Sequence, residues 1–205
     1  MTVQAVPIPV AIEPELILNQ RSWTLEEYEA MISAGVLGDE DRVELLFGKI
    51  VDMSPIGISH SYCIQELARF MFKNFDEDFV CRQEQPVAFP LHSMPEPDYV
   101  LAKKYKHRYR SRRPEPKDIR LIIEVSDSTL GRDRGAKMRL YAAYGIKEYW
   151  ILNLIDRQLE LYTEPTEAEG YTNRQSIPRE DTFVSPLLGE LRAADFMPKA
   201  KWEEE

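Results

Sequence analysis

The sequence predicts an α/β fold, with a central mixed β-sheet flanked by helices. Three observations carry this. Ile119–Val125 is an apolar run broken only by Arg120 and Glu124, the pattern of a central strand covered on both faces. A helical stretch, Gly131 to Tyr144, follows it and leads into a second buried strand, Tyr149–Leu154. Upstream, Ile64, Leu67, Ala68, Met71 and Phe75 recur at helical spacing from about Ser59 onward.

Taken in order, residues 1–22 hold three prolines and no helical or strand period, and read as an extended arm. One domain is expected over 23–197, followed by an acidic tail, 198–205. Thr24-Leu-Glu-Glu27 is a capping box opening a first helix, which Gly35 stops. Arg42–Phe47 and Lys49–Met53 flank Gly48 as a hairpin, with Glu44 inside its first strand. His60 falls in the first turn of the helix that follows. Phe79–Phe89 is mostly extended and reads as one strand running to the Pro86 region, with Tyr99–Ala102 the next, continuing from Asp98. Lys103–Pro116 contains no apolar period and reads as an exposed loop. Gln158–Thr163 is the expected hairpin neighbour of Tyr149–Leu154, Glu164–Gly170 a turn, and the remainder one or two edge strands.

The net charge of −9 argues against a general polyanion binder, but the charge is unevenly spread. Lys103 to Lys117 carries eight Lys/Arg and one acid, leaving −16 on the rest of the chain. No apolar run reaches the roughly 20 residues that span a bilayer, so no membrane association is expected. No secretory signal is evident at the start, and Cys63 and Cys81 form no CxxC pair. The expected location is cytoplasmic, with free thiols and neither a disulfide framework nor a structural zinc site.

Glu124 is the residue that most needs explaining. A carboxylate among isoleucine and valine is costly to bury without a cation or a hydrogen-bond donor. A buried ion pair with an arginine would account for it, as would a wet edge strand. Two further signals point to chemistry. Asp98 opens the preceding strand after a proline, and Ser126 shares a strand face with Glu124. Carboxylates on adjacent strands, with a backbone carbonyl between them, make an oxygen-rich shell suited to Mg²⁺ or Mn²⁺. Lys137 lies on the next helix at i+4 from Asp133, where the bland reading is a surface ion pair.

Pro-Asp98, Glu124-x-Ser126, Asp133-x-x-x-Lys137 and Gly-x-x-Glu148-Tyr-Trp, in that order and after Glu44 and His60, resemble the PD-(D/E)XK restriction-endonuclease-like superfamily. The resemblance covers about Trp23 to Phe196. More narrowly it is to a large bacterial family of assigned endonucleases, once classed as a domain of unknown function. It implies a restriction-endonuclease-like core, with Asp98, Glu124 and the Val125 carbonyl as metal ligands and Glu44 as an additional acid. The superfamily's usual lysine falls where this chain has Ser126, which is too short to serve as a cation. Lys137 is the residue that can fill that role from the helix. DNA is the implied substrate, and the two cuts that a duplex needs make a homodimer the expectation. His60 reads as a helix cap or as the partner of an acid rather than as a proton carrier. Lys103, Lys104, Lys106, Arg108, Arg110, Arg112 and Arg113, interleaved with Tyr105 and Tyr109, read as a nucleic-acid contact surface. Tyr141, Tyr144, Tyr149 and Trp150 read as core. Two other classes stay open: a binding or regulatory module without turnover, and a glycoside hydrolase using Asp98 and Glu124 as its acid and base.

Overall fold

The structure is a computed structural model that describes residues 21–38 and 40–199. Most of the expected N-terminal arm and C-terminal tail lies outside the described residues. Six strands form one sheet in the order β3-β4-β5-β6-β7-β8: Phe79–Gln83, Tyr99–Lys103, Ile119–Ser126, Glu148–Asn153, Gln158–Thr166 and Gly170–Pro178. Only β5 and β6 run parallel, and every other neighbouring pair is antiparallel. The parallel pair requires a crossover, which is the helical stretch 130–143.

Alternation along the strands sorts two layers onto the two faces. Leu121, Ile123 and Val125 of β5 pack with Trp150 and Leu152 of β6 against α2, Ile58–Phe75, through Ile64, Leu67 and Met71. Ile122 of β5 and Tyr149 and Ile151 of β6 face the other way, with Leu140, Tyr141 and Ala142 of α4, Met138–Ala143. Glu124 and Ser126 lie on this second face, in phase with Ile122. The carboxylate therefore projects into the layer that carries the crossover helix.

Two small hairpins complete the layers. β9, Thr182–Ser185, and β10, Gly189–Arg192, cover the α2 side, where Phe183 and Phe196 pack on Trp150. β1, Val43–Leu46, and β2, Lys49–Asp52, sit beside α1, Leu25–Ser33, and carry Glu44. Phe47 and Gly48 form the two-residue turn of this hairpin with φ of 50° and 74°. A Cβ on Gly48 would approach Ser22 Cβ to 2.7 Å. Gly48→Ala is expected to lower stability by about 1 kcal/mol or more, from a positive φ and this clash, read as a shift in the denaturation midpoint.

Three expectations are corrected. The strand beginning at Phe79 ends at Gln83, short of the expected Pro86 region, because Glu84 takes φ 45° and turns the chain. The turn after β7 is shorter than expected, since pairing extends to Thr166↔Gly170. The segment after β4 is not an unstructured loop. It holds two 3₁₀ turns, Lys106–Tyr109 and Pro116–Asp118, with Tyr109 and Asp118 buried.

The crossover is also not a plain α-helix. Leu130–Arg132 (α3) and α4 are joined by a π-helical turn, Asp133–Lys137. Such turns are rare and concentrate at functional sites. Here it replaces the α-helical register between Asp133 and Lys137, and both side chains are buried. The surface ion pair expected from their spacing does not form.

Candidate active site

β4 and β5 pair from Tyr99↔Ile123 toward the connector, and no further toward Asp98. Pro97 lacks the N–H that would continue the ladder, so the strands part and Asp98 turns its side chain to the free edge of β5. The Val125 N–H donates to Asp98 Oδ2 at 2.6 Å, and the Asp98 N–H points at Glu124 Oε2 across 3.5 Å. Since one residue's N–H and C=O face the same side of a strand, the Val125 carbonyl is directed to this opening as well.

Glu124 is 2% exposed and Lys137 6%. The Lys137 amine donates to Glu124 Oε1 at 3.1 Å and lies 3.5 Å from Glu44 Oε2. Tyr141, one turn further along the helix, donates its hydroxyl to the same Glu124 oxygen at 2.6 Å. Lys137 thus reaches the two carboxylates from the crossover helix. Ser126 itself turns away, and its hydroxyl donates to Asp133 Oδ2, as does that of Thr129, both at 2.6 Å. Its part is to hold Asp133 rather than to face the opening.

Glu44 accepts from the Glu96 N–H at 3.2 Å and lies 3.5 Å from the Arg132 guanidinium, so it braces two cations at once. His60 reaches Asp98 Oδ1 from the first turn of α2, Nε2 to oxygen 3.3 Å. Burial works to lower the His60 pKa, but the hydrogen bond and charge of Asp98 outweigh it and leave it raised. This matches the reading of His60 as the partner of an acid.

Glu44, His60, Asp98, Glu124, Asp133 and Lys137 line a cleft of about 120 Å³ together with Arg42, Glu84, Asp127 and Arg132. Seven carboxylates meet three permanent cations there. Burial drives the Glu124 pKa well up, Lys137 opposes the rise, and Asp98 and Asp133 add to it. Lys137 stays cationic: burial alone would strip its proton, but Glu124 and Glu44 hold it. The recess is therefore short of positive charge.

No group of three or more His, Cys, Asp or Glu side chains among the described residues is arranged to enclose a metal ion. A Mg²⁺ site asks for less, since that ion keeps several waters and binds through one or two carboxylates together with substrate phosphate. The oxygen-only donor set of Asp98 and Glu124 and the local excess of negative charge fit a hard divalent cation.

Sequence reasoning missed the part of four residues. Tyr141 was assigned to the core, without its hydrogen bond to Glu124. Tyr141→Phe is expected to lower any metal-dependent rate about tenfold, corresponding to one hydrogen bond to a charged group, with the fold unchanged by circular dichroism. Asp133 was seen only as a partner for Lys137, and no local signal marks Arg42 or Arg132.

The basic connector is where the structure departs most from the sequence reading. β4 carries the chain about 17 Å from Asp98 before the connector begins, and it re-enters at the start of β5, opposite the Glu124 end. Its charges are largely engaged within the chain. Lys103 and Arg112 both pair with buried Asp118, at 2.9 and 2.5 Å. Lys104 donates to the Asp76 carbonyl, Arg108 grips the Asp76 carboxylate through two nitrogens, and Arg113 pairs with Glu29. Tyr105 and Tyr109 stack on each other with centroids 5.0 Å apart, and Arg112 covers Tyr105. Lys106 and Arg110 are exposed and make no ion pair among the described residues. The alternation of arginine and tyrosine forms a lattice within the chain.

The sheet order and the acid-lined end of the parallel pair define a restriction-endonuclease-like protein. Residues 25–195 match the family model Uma2, described as "Putative restriction endonuclease", and the chain belongs to that family. It is similar in fold to a solved structure from Anabaena variabilis ATCC 29413, described as "a putative nuclease belonging to DUF820". The two share 17% identity over 85% of this chain and 97% of the other, with a TM-score of 0.61. No curated protein matches the sequence. Among the described residues no helix is long and apolar enough to cross a membrane, and Cys63 and Cys81 are free and buried.

Proposed function

We propose that this protein hydrolyses phosphodiester bonds of DNA with a divalent cation, Mg²⁺ or Mn²⁺, held by Asp98 and Glu124 beside the Val125 carbonyl. The observation that carries this reading is the Lys137 amine, buried and 3.1 Å from Glu124, supplied from the crossover helix in place of a lysine at position 126. When bound, the cation would acidify a coordinated water and polarise a phosphate oxygen. The protein's own groups do the rest. Val125 N–H and His60 orient Asp98, while Tyr141 and Lys137 orient Glu124. An ammonium has three donors. Glu124 engages one, Glu44 sits 3.5 Å away as an ion-pair partner, and a remaining donor can meet charge building on the phosphoryl oxygens. Burial of Glu124 and Lys137 keeps bulk water from screening that interaction.

A module that binds nucleic acid without turnover is the alternative, motivated by Ser126. The internal pairing of the connector weakens its electrostatic basis, and Lys137 answers the gap at 126. The deciding assay incubates the full chain with plasmid and short oligonucleotides, with Mg²⁺ or Mn²⁺ and with chelator. Cleavage is expected only with metal, and Asp98→Ala should abolish it. Cleavage by Asp98→Ala at the wild-type rate would show that the site lies elsewhere.

A further inference from the structure

Glu124 has a counterpart two strands away. The register sets Glu124 of β5, Ile151 of β6 and Glu160 of β7 in one row across the sheet, on the face that carries the crossover. At about 4.8 Å per strand, the two glutamates stand roughly 10 Å apart. The π turn lies across this row. Lys137, at its end, meets Glu124. Arg134, near its start, meets Glu160 through Nε, 3.1 Å from each carboxylate oxygen, and through Nη2. Glu160 is buried, and Asn153, Tyr162 and Arg174 also donate to it, at 2.9, 2.7 and 2.8 Å, which fixes the carboxylate independently of the turn. Burial works to raise the Glu160 pKa, but Arg134, Tyr162 and Asn153 pull it down to about 2, so the grip stays charged at any working pH.

Local preference does not hold this turn. A π register is rare, and Gly135 in its middle is among the weakest helix formers. A Cβ on Gly135 would meet no atom within 4 Å, so packing does not support the turn at that point. It is held from the sheet instead. The Tyr149 hydroxyl donates to the Asp133 carbonyl at 3.1 Å, Ser126 holds the Asp133 carboxylate, and Arg134 ties the turn to β7. Neither Arg134 nor Glu160 lines the cleft. We infer that the Arg134–Glu160 grip is a positioning device, which fixes the π register and so sets where the Lys137 amine stands between Glu124 and Glu44. Its consequence for catalysis rests on the hydrolytic reading above, while the placement of the lysine does not. A reacting group misplaced by about 1 Å can lose about 10²-fold in rate.

The test compares Arg134→Ala with Arg174→Ala in the full chain. Each variant takes one arginine from Glu160 and leaves it the other, with Asn153 and Tyr162, but of the two only Arg134 belongs to the turn. One readout is reductive methylation of Lys137, followed by mass spectrometry. The other is kcat and KM for cleavage with Mn²⁺. In Arg134→Ala, Lys137 should be labelled at least about tenfold faster than in the wild type, because local opening frees its amine. There kcat should fall about 10²-fold with KM nearly unchanged. Arg174→Ala should lose a similar amount of stability in denaturation, yet match the wild type in labelling and in kcat. Equal effects in the two variants would make the grip merely structural and overturn the inference, as would Lys137 labelled no faster in Arg134→Ala. Arg134→Gln keeps a donor without the fork, so it should show the same changes at smaller size. It decides the matter by the same criteria where the alanine variant folds poorly. If the wild type cuts nothing, the hydrolytic reading fails, and the labelling still decides the positioning claim.

Discussion

Lys137→Met is expected to eliminate metal-dependent cleavage, with a loss of at least about 10²–10³-fold in kcat, the scale on which a positioned charge-stabilising donor acts. The variant keeps the length and apolar stem of the side chain and removes the charge. A second consequence follows from burial. Lys137 offsets Glu124 and Glu44, which are both 2% exposed. Removing one partner of a buried pair costs about 3–5 kcal/mol where the remaining charge is kept. Here the remaining charge can be neutralised instead. Without the ammonium, Glu124 loses the interaction that opposes its upward pKa shift, and its folded pKa rises further above the unfolded value. Such a group favours unfolding increasingly as pH rises from the unfolded pKa through the folded one. Chemical denaturation should therefore show a deficit that is small near pH 4 and larger at pH 8. A deficit independent of pH would mean that the lysine is held by something other than these acids.

Glu124→Gln is the second, and it separates catalysis from stability in the opposite sense. The amide is nearly isosteric, and its carbonyl oxygen can still accept from Tyr141 and Lys137. It removes a buried charge that Asp98 and Asp133 both repel. Stability at neutral pH should be unchanged or higher. Cleavage should fall about 10³-fold, since metal-borne charge stabilisation worth several kcal/mol is lost at about 1.4 kcal/mol per tenfold. In the wild type, metal affinity should weaken as pH falls, because a proton competes for Glu124 where its pKa is raised. Mn²⁺ titration by calorimetry across pH 5.5–8 reads this directly, and the competition should vanish in Glu124→Gln.

Much of the fold was legible because its strongest signals are local and agree with one another. The apolar run at Ile119–Val125 read as a covered strand and is one, and the capping box at Thr24 marks its helix in the structure as in the sequence. The convergence of Asp98, Glu124 and Lys137 was also foreseeable, since period-two alternation places Glu124 on the crossover face. Three features were not legible, each for a physical reason. Glu84 adopts a left-handed backbone conformation, which no strand propensity discloses. The π turn alters the register between Asp133 and Lys137, so an i+4 argument built on an α-helix misplaces their relation. Sequence proximity of the connector to Asp98 suggested spatial proximity, yet a five-residue strand carries it to the opposite end of the sheet. What binds its arginines, Asp76 and Asp118 above all, is visible only once tertiary contacts exist.

Glu148 shows the limit of motif reading from another side. The Glu-Tyr-Trp run helps define the resemblance, but Glu148 lies on the α2 face, away from the cleft. It accepts from Trp150 Nε1 at 2.7 Å, Ser185 Oγ at 2.6 Å and the Leu187 N–H at 3.0 Å, tying β6 to the β9–β10 hairpin. Its part is structural, and Glu148→Ala should lower stability by about 1–3 kcal/mol by leaving buried donors unpaired.

The proposed hydrolysis depends on one location for the cation. Anomalous scattering from a Mn²⁺-soaked crystal of the full chain measures it directly. The expected peak lies between the Asp98 and Glu124 carboxylates, within about 2.0–2.5 Å of an oxygen of each, and disappears in Glu124→Gln. A peak elsewhere, or one in this place that persists in Glu124→Gln, would contradict it.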